Sequence, residues 1–314
     1  MFTFSSIAQA KTQQVTYSSK AEFETSKQTG KNRIAQAYVQ PANIKNCKPA
    51  KMTDTERKKA LDEVNAIREK HGLQPVSYNL ENDKYTANAA LVMVANRTIG
   101  HYPSKSLKCY TNEAAIGSKE SNLHITAGSS PALVEENFPK AVIDGLLIDE
   151  GVKSLGHRAW LLNPFLRSIS FGRATDIEDG YVDGAAVYVQ DVHTQVDTAV
   201  DYIAYPYGQY QKAWFKHGWY MSFSAFFNKT DLWKNKNVDY SKVKIRVTDS
   251  QGKSLPVKQI AKQDKYYKGA SAGLPNLLQW QVNGTKDHER YQVLIENVVI
   301  DGKVRNYRYG FEIM

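Results

Sequence analysis

Apolar residues recur at helical spacing in the stretch that follows Met52: Ala60, Val64 and Ile67 fall at i, i+4 and i+7, one stripe of an amphipathic helix. Thr53-Asp-Thr-Glu56 precedes the stripe with the spacing of a capping box, and Gly72 supplies a stop. A second helix is predicted from about Asn82 to Asn96, where Ala87, Ala90, Leu91 and Val94 offer a small-residue packing face. Residues 97–129 show no period and carry Gly, Pro, Ser and Asn throughout, which predicts an irregular stretch. A loop of that length inside a compact domain is usually functional or a lid. A third helix is predicted from Pro131, a residue suited to a first helical turn, to about Leu147, with Leu133, Val134, Phe138, Val142 and Leu146 as its apolar positions. A short helix is expected at Leu155–Leu162.

Beyond that point the period changes from helical to alternating. "RSISFGRAT" and "GAAVYVQDV" read as strands separated by the turn-like "DIEDGYVDG". The order of elements predicts an α+β fold with helices packed on an antiparallel sheet. From about Tyr205 the chain is aromatic and strand-like, with hairpin turns at Gln251-Gly252 and Asp301-Gly302. Three regions follow: a signal remnant and basic arm over 1–51, a mixed domain over 52–204 and a small all-β module over 205–314.

Composition narrows the function. Of 314 residues, 42% are hydrophobic and 23% charged, the balance of a soluble globular protein with a sizeable core. No run approaches the roughly 20 apolar residues of a membrane span, so an integral membrane protein is not expected. The net charge of +9 is uneven: residues 11–51 hold seven Lys and one Arg against two Glu. That stretch is rich in Ser, Thr and Gln and reads as a disordered arm suited to anionic surfaces such as wall polymers or lipid head groups. No nucleic-acid recognition motif accompanies the charge, so nucleic acid is not an expected partner. "MFTFSSIAQA" ends in the A-x-A pattern of a signal-peptidase site and reads as the tail of a secretory signal. Cys47 and Cys109 lack the spacing of a zinc motif. They form either one disulfide in an oxidising compartment or two buried thiols in a reducing one.

Two histidines carry the candidate chemistry. His101 in "IGHYPS" follows a helix end, and His157 in "SLGHRAWLLNP" precedes a helix start; a glycine stands before each. Two imidazoles converging from separate elements can bind a divalent metal such as zinc, although their spacing is not that of a metalloprotease motif. A hydrolase would need a nucleophile beside the base, with Ser121 or Ser154 as the serines near at hand. Neither stands in a Gly-x-Ser-x-Gly elbow.

Taken together, "LDEVNAIREKHGLQPVSYNLE", "IGHYP", "SNL", "LGHRAWLLNPFLRSISFG" and "AAVYVQD" resemble the CAP superfamily of cysteine-rich secretory, antigen 5 and pathogenesis-related-1 proteins, in its bacterial secreted type. The resemblance covers about residues 56–192. It implies an α-β-α sandwich with a shallow cavity lined by two histidines, matched here by His101 and His157, and by two acidic residues. Ser121 stands where the family carries its first glutamate, with Glu113 and Glu120 nearby; Asp144, Asp149 and Glu150 are candidates for the second acid, and nothing in the sequence selects one. The function implied is that of a secreted, non-catalytic binding or scaffold protein of the cell envelope or exterior. Its cavity would take a divalent metal, a small apolar ligand or a polymer fragment. The alternative is an envelope-directed hydrolase using Ser/His chemistry.

Overall fold

The computed structural model describes residues 11–178, 180–193, 199–264 and 273–314. The segment read as a signal remnant, residues 1–10, lies outside them. Six α-helices are described: α1 (Lys20–Ala37), α2 (Asp54–Lys70), α3 (Asp83–Asn96), α4 (Asn112–Lys119), α5 (Phe138–Ile148) and α6 (Gly156–Leu161). With the sheets below they make an α+β fold followed by a C-terminal β region. No helix among the described residues is long and apolar enough to cross a membrane.

The chain divides into two compact units. The first runs through Val64 and adds Val76–Leu146 and Arg167–Asp191; the second comprises Asn65–Pro75, Leu147–Leu166 and Val192–Met314. Three stretches from within 52–204, namely Asn65–Pro75, Leu147–Leu166 and residues 192–204, therefore group with the C-terminal strands.

A five-stranded sheet forms the centre of the first unit, in the order Lys11–Gln13, Ser121–Gly128, Tyr181–Val192, Leu166–Asp176 and Ser77–Tyr78. Side chains alternate across a strand, so neighbours 172 and 173, or 183 and 184, face opposite sides. On one side the sheet is pared to glycine. A Cβ on Gly172 would stand 2.2 Å from the backbone carbon of Thr86, and one on Gly184 would stand 2.8 Å from Val94 Cγ2, so α3 lies directly against the strands. On the other side, Arg173 and Asp183 are buried and paired, with Nη2 to Oδ2 at 2.5 Å and Nε to Oδ1 at 3.0 Å. The Arg173 guanidinium lies 4.1 Å from the Phe138 ring of α5 and 3.3 Å from Glu56 Oε2 of α2. Helices thus cover both faces, the layering that the resemblance implies.

Several local expectations change. Thr53 Oγ1 accepts from the Glu56 N–H at 3.3 Å, but Glu56 does not complete a capping box. The Thr53 N–H is already given to Ala37 O, and the Glu56 carboxylate turns inward to Lys59 and Arg173. The expected irregular stretch at 97–129 holds a helix, α4, and the strand Ser121–Gly128, paired with Tyr181–Tyr188. That strand carries no alternation, since four of its first five residues are buried whatever their polarity. Pro131 opens a 3₁₀ turn, Pro131–Leu133, and α5 begins only at Phe138.

The disordered arm is also corrected, since Lys20–Ala37 is helical. Ser19 caps α1 by accepting from the Glu22 N–H, and Glu22 accepts in return from the Ser18 N–H at 2.9 Å. The buried residues are Ser26, Gly30 and Ala37, a small-residue face that a search for apolar periodicity overlooks. A Cβ on Gly30 would stand 2.6 Å from the Pro131 carbonyl oxygen. Arg33 Nη1 donates to the Ala132 and Val134 carbonyls at 2.7 Å each, and Lys27 pairs with Glu178.

The second unit is mostly strand. A four-stranded sheet runs Val257–Gln263, Leu277–Val282, Tyr220–Ala225 and Tyr202–Tyr205; a larger one includes Lys244–Thr248, Arg290–Ile300 and Lys303–Ile313. The hairpin between the last two turns at Asp301-Gly302, both with positive φ (48° and 76°), as an Asp-Gly turn of the hairpin type requires. Trp214, Trp280, Tyr205, Tyr210, Tyr240 and Tyr291 are fully buried, so much of the aromatic content is core.

Candidate functional site

The two histidines implied as cavity residues, His101 and His157, belong to the first and the second unit respectively. In the second unit, α5 ends at Ile148 and the chain passes through left-handed Asp149 (φ 59°) and Gly151 (φ 86°). It returns through left-handed Leu155 into α6. Leu155, the cap residue of α6, offers no side-chain acceptor. Asp149 fills the role from outside the helix: its Oδ2 accepts the Arg158 backbone N–H at 3.2 Å, and its Oδ1 accepts from His157 Nδ1 at 2.8 Å. One carboxylate, with no exposed side-chain surface, therefore fixes both the helix start and the imidazole. In the neutral ring Nδ1 carries the proton and Nε2 the lone pair. The His157 side chain keeps 14% of its surface exposed.

Arg158 holds the surrounding backbone. Its Nε donates to Leu147 O at 2.8 Å, Nη2 to Ile148 O at 2.7 Å, and Nη1 to Tyr220 O at 2.8 Å and Ser222 Oγ at 3.3 Å. The guanidinium carbon stacks 3.6 Å from the centre of the Tyr205 ring. Burial draws its pKa below the ordinary arginine value, while Tyr205 and Asp149 oppose the shift. The Asp149 carbonyl accepts from Trp219 Nε1 at 3.2 Å. Glu150, next in sequence, lies at the surface and pairs with Lys216. Of the acidic candidates near the third helix, Asp149 is thus the one that reaches His157, while Asp144 bonds to Lys140 in the first unit. Ser154 is exposed, and its carbonyl accepts from Gln263 Nε2 at 3.5 Å.

His71, in the same unit, is a core residue. Burial, with Arg158 and Arg68 nearby, pushes it down to about 3, so it is neutral and bonds to the Tyr210 hydroxyl at 3.1 Å.

In the first unit, His101 Nδ1 meets the Ser118 carbonyl at 2.8 Å, near the end of α4. Thr111 caps α4 by accepting from Ala114 N at 3.0 Å. Glu113 is exposed in its first turn, and Glu120 closes its C-terminus, paired with Lys119 at 2.6 Å. Ser121 begins the strand opposite Tyr188 and is buried, and its Oγ has no hydrogen-bond partner among the described residues; the same holds for Ser118 Oγ.

The implied divalent metal is tested by its donor set. Among the described residues no three of His, Cys, Asp and Glu stand together as a group able to hold an ion. The described residues therefore do not supply the donor set of a resident metal centre, and no chemistry is derived through one.

Arg158 and Trp219 are contributors that the sequence reading passes over. The available signal was an arginine set directly before the apolar run Ala159-Trp-Leu-Leu162, where a charge has to be paired if it is buried. Cys47 and Cys109 are joined in a disulfide, which settles their alternative.

No curated protein matches this chain. Residues 61–192 match the model of the CAP family, the Cysteine-rich secretory protein family, which places a CAP domain in that part of the chain.

Proposed function

We propose that this chain is a secreted CAP-domain protein that acts at the cell envelope or outside the cell by binding rather than by catalysis. The observation that carries this reading is the set of bonds around His157: a buried carboxylate fixes the ring and the helix start together, and Arg158 clamps both adjoining strands of backbone. Such a group is preorganised to hydrogen-bond a ligand, because its orientation is paid for in the fold. A serine hydrolase needs in addition a nucleophile bonded to its base. Ser121 Oγ has no hydrogen-bond partner among the described residues, so that requirement is not met there. The Cys47–Cys109 disulfide supports an oxidising compartment.

The test pairs two measurements on the intact protein. An active-serine phosphonate probe is expected to leave it unlabelled, and sedimentation with an envelope fraction is expected to fall at least several-fold in His157→Gln. Stoichiometric labelling of a serine, or equal sedimentation of the variant, overturns the reading.

A further inference from the structure

The first unit carries a groove of about 630 Å³ that the His157 site does not involve. Its volume lies within the range of about 300–1,000 Å³ usual for ligand pockets. Lys48, Lys51 and Lys84 line it, and all three are exposed. Met52 and Phe171, both buried, contribute apolar lining, and Leu80 adds a side chain that is 63% exposed.

Charge within the groove is unbalanced. Among the described residues one acid lines it, Asp83, and that carboxylate is already engaged by Arg57 Nε at 2.8 Å and by the Tyr78 hydroxyl at 2.7 Å. Arg57 is held in turn by Asp54 at 2.7 Å, and Arg173, also in the lining, is neutralised by Asp183 and Glu56. The remaining cations are the three lysines, none of which makes an ion pair among the described residues. This contrasts with α1, where Lys27 and Arg33 are taken up by Glu178 and Glu136. The excess charge of residues 11–51 is thus partly taken up along the helix, while Lys48 and Lys51 remain at the groove; Lys84 Nζ lies 4.9 Å from the centre of the Tyr85 ring. The Cys47–Cys109 disulfide anchors the backbone immediately before Lys48, so one wall of the groove is tied covalently.

We infer that this groove binds a linear, base-free poly(polyol phosphate), in which phosphodiester groups alternate with short polyol units. Phosphates spaced along such a chain meet Lys48, Lys51 and Lys84, while the carbon skeleton between them lies on Met52 and Leu80. A concave, partly apolar lining suits a single extended chain better than a flat bilayer, which needs a convex or planar basic face. The inference shares with the proposed function only the premise of a binding protein; its residues are separate, so the two fail independently.

The experiment is an anisotropy titration of the full protein with fluorescently labelled poly(glycerol phosphate), between about 50 and 200 mM salt, the range over which polyelectrolyte contacts weaken steeply. Lys48→Ala/Lys51→Ala/Lys84→Ala is expected to lose at least tenfold in affinity. Losing three phosphate contacts should also lower the salt slope by about 2 to 3, at somewhat under one unit per contact. A charge control, Lys244→Ala/Lys258→Ala/Lys303→Ala, removes the same charge from exposed strand positions of the second unit and is expected to bind like the wild type, as is His157→Gln. Circular dichroism checks that each variant is folded. Equal affinity of the groove variant, or an equal loss in the charge control, overturns the inference. So does equal competition by oligo-dT, polygalacturonate or phosphatidylglycerol vesicles, which would make the surface a general basic one.

Discussion

Replacing Arg158 by methionine removes the clamp around the His157 loop while keeping most of the side-chain volume. Three carbonyls, those of Leu147, Ile148 and Tyr220, then lose a charged donor that each now holds within 2.8 Å. Arg158 is 1% exposed, so water does not readily replace the guanidinium. At about 1–2 kcal/mol for each orphaned buried acceptor, the cost comes to about 3–6 kcal/mol. Asp149 also loses the electrostatic support of a nearby cation. Relief from burying the guanidinium offsets part of this, so the lower half of the range is expected. Arg158→Lys should recover little, because an ammonium cannot reach carbonyls on both sides as the planar fork does. Urea denaturation followed by circular dichroism measures the change. A loss under 1 kcal/mol for Arg158→Met would show that the carbonyls find other partners and that the clamp is dispensable.

Three further outcomes are expected. Cys47→Ala/Cys109→Ala opens a loop with a sequence separation of 62 and should cost about 4 kcal/mol in the chain-entropy estimate, read from urea midpoints with and without reductant. Asp144 is pushed up to about 7, chiefly by burial and then by the neighbouring Glu63 carboxyl, with Lys140 opposing at 2.9 Å. Because its folded pKa is raised, its contribution to stability is complete at acid pH and is lost as the pH rises through about 7. Asp144→Asn should therefore flatten the stability profile between about pH 4 and 7 and gain about 1 kcal/mol at the upper end, discounted for partial exposure; an unchanged slope would refute this. In Asp149→Asn the amide has one acceptor where the carboxylate serves two donors, so a cost of about 1–3 kcal/mol is expected, together with altered His157 ring nitrogen shifts by NMR.

What could be read from the sequence depended on how each contact is encoded. The stripe Ala60, Val64, Ile67 is buried, and Asp301-Gly302 forms the expected turn, because apolar period and turn chemistry are local signals. α1 escaped because its buried face is Ser26, Gly30 and Ala37, which closely resembles a polar tract, although Ser19 and Glu22 mark its start. The strand at Ser121–Gly128 escaped because its partners, Tyr181–Tyr188 and Lys11–Gln13, are remote in sequence. His157 lies in the first turn of α6, where Asp149 holds its ring. The choice of Asp149 over Asp144 and Glu150 was not legible, since it rests on the left-handed backbone at Asp149 that turns one carboxylate toward α6.

The small-residue face of α1 has a thermodynamic consequence. Hydrophobic burial leaves a heat-capacity signature in proportion to apolar area. A helix seated by Ser26, Gly30 and Ala37, with Arg33 bonded to carbonyls, buries little such area for its length. Its detachment should carry a small heat-capacity change and a shallow denaturant dependence, set by fit and hydrogen bonding, and so should be nearly silent in calorimetry while plain in amide exchange.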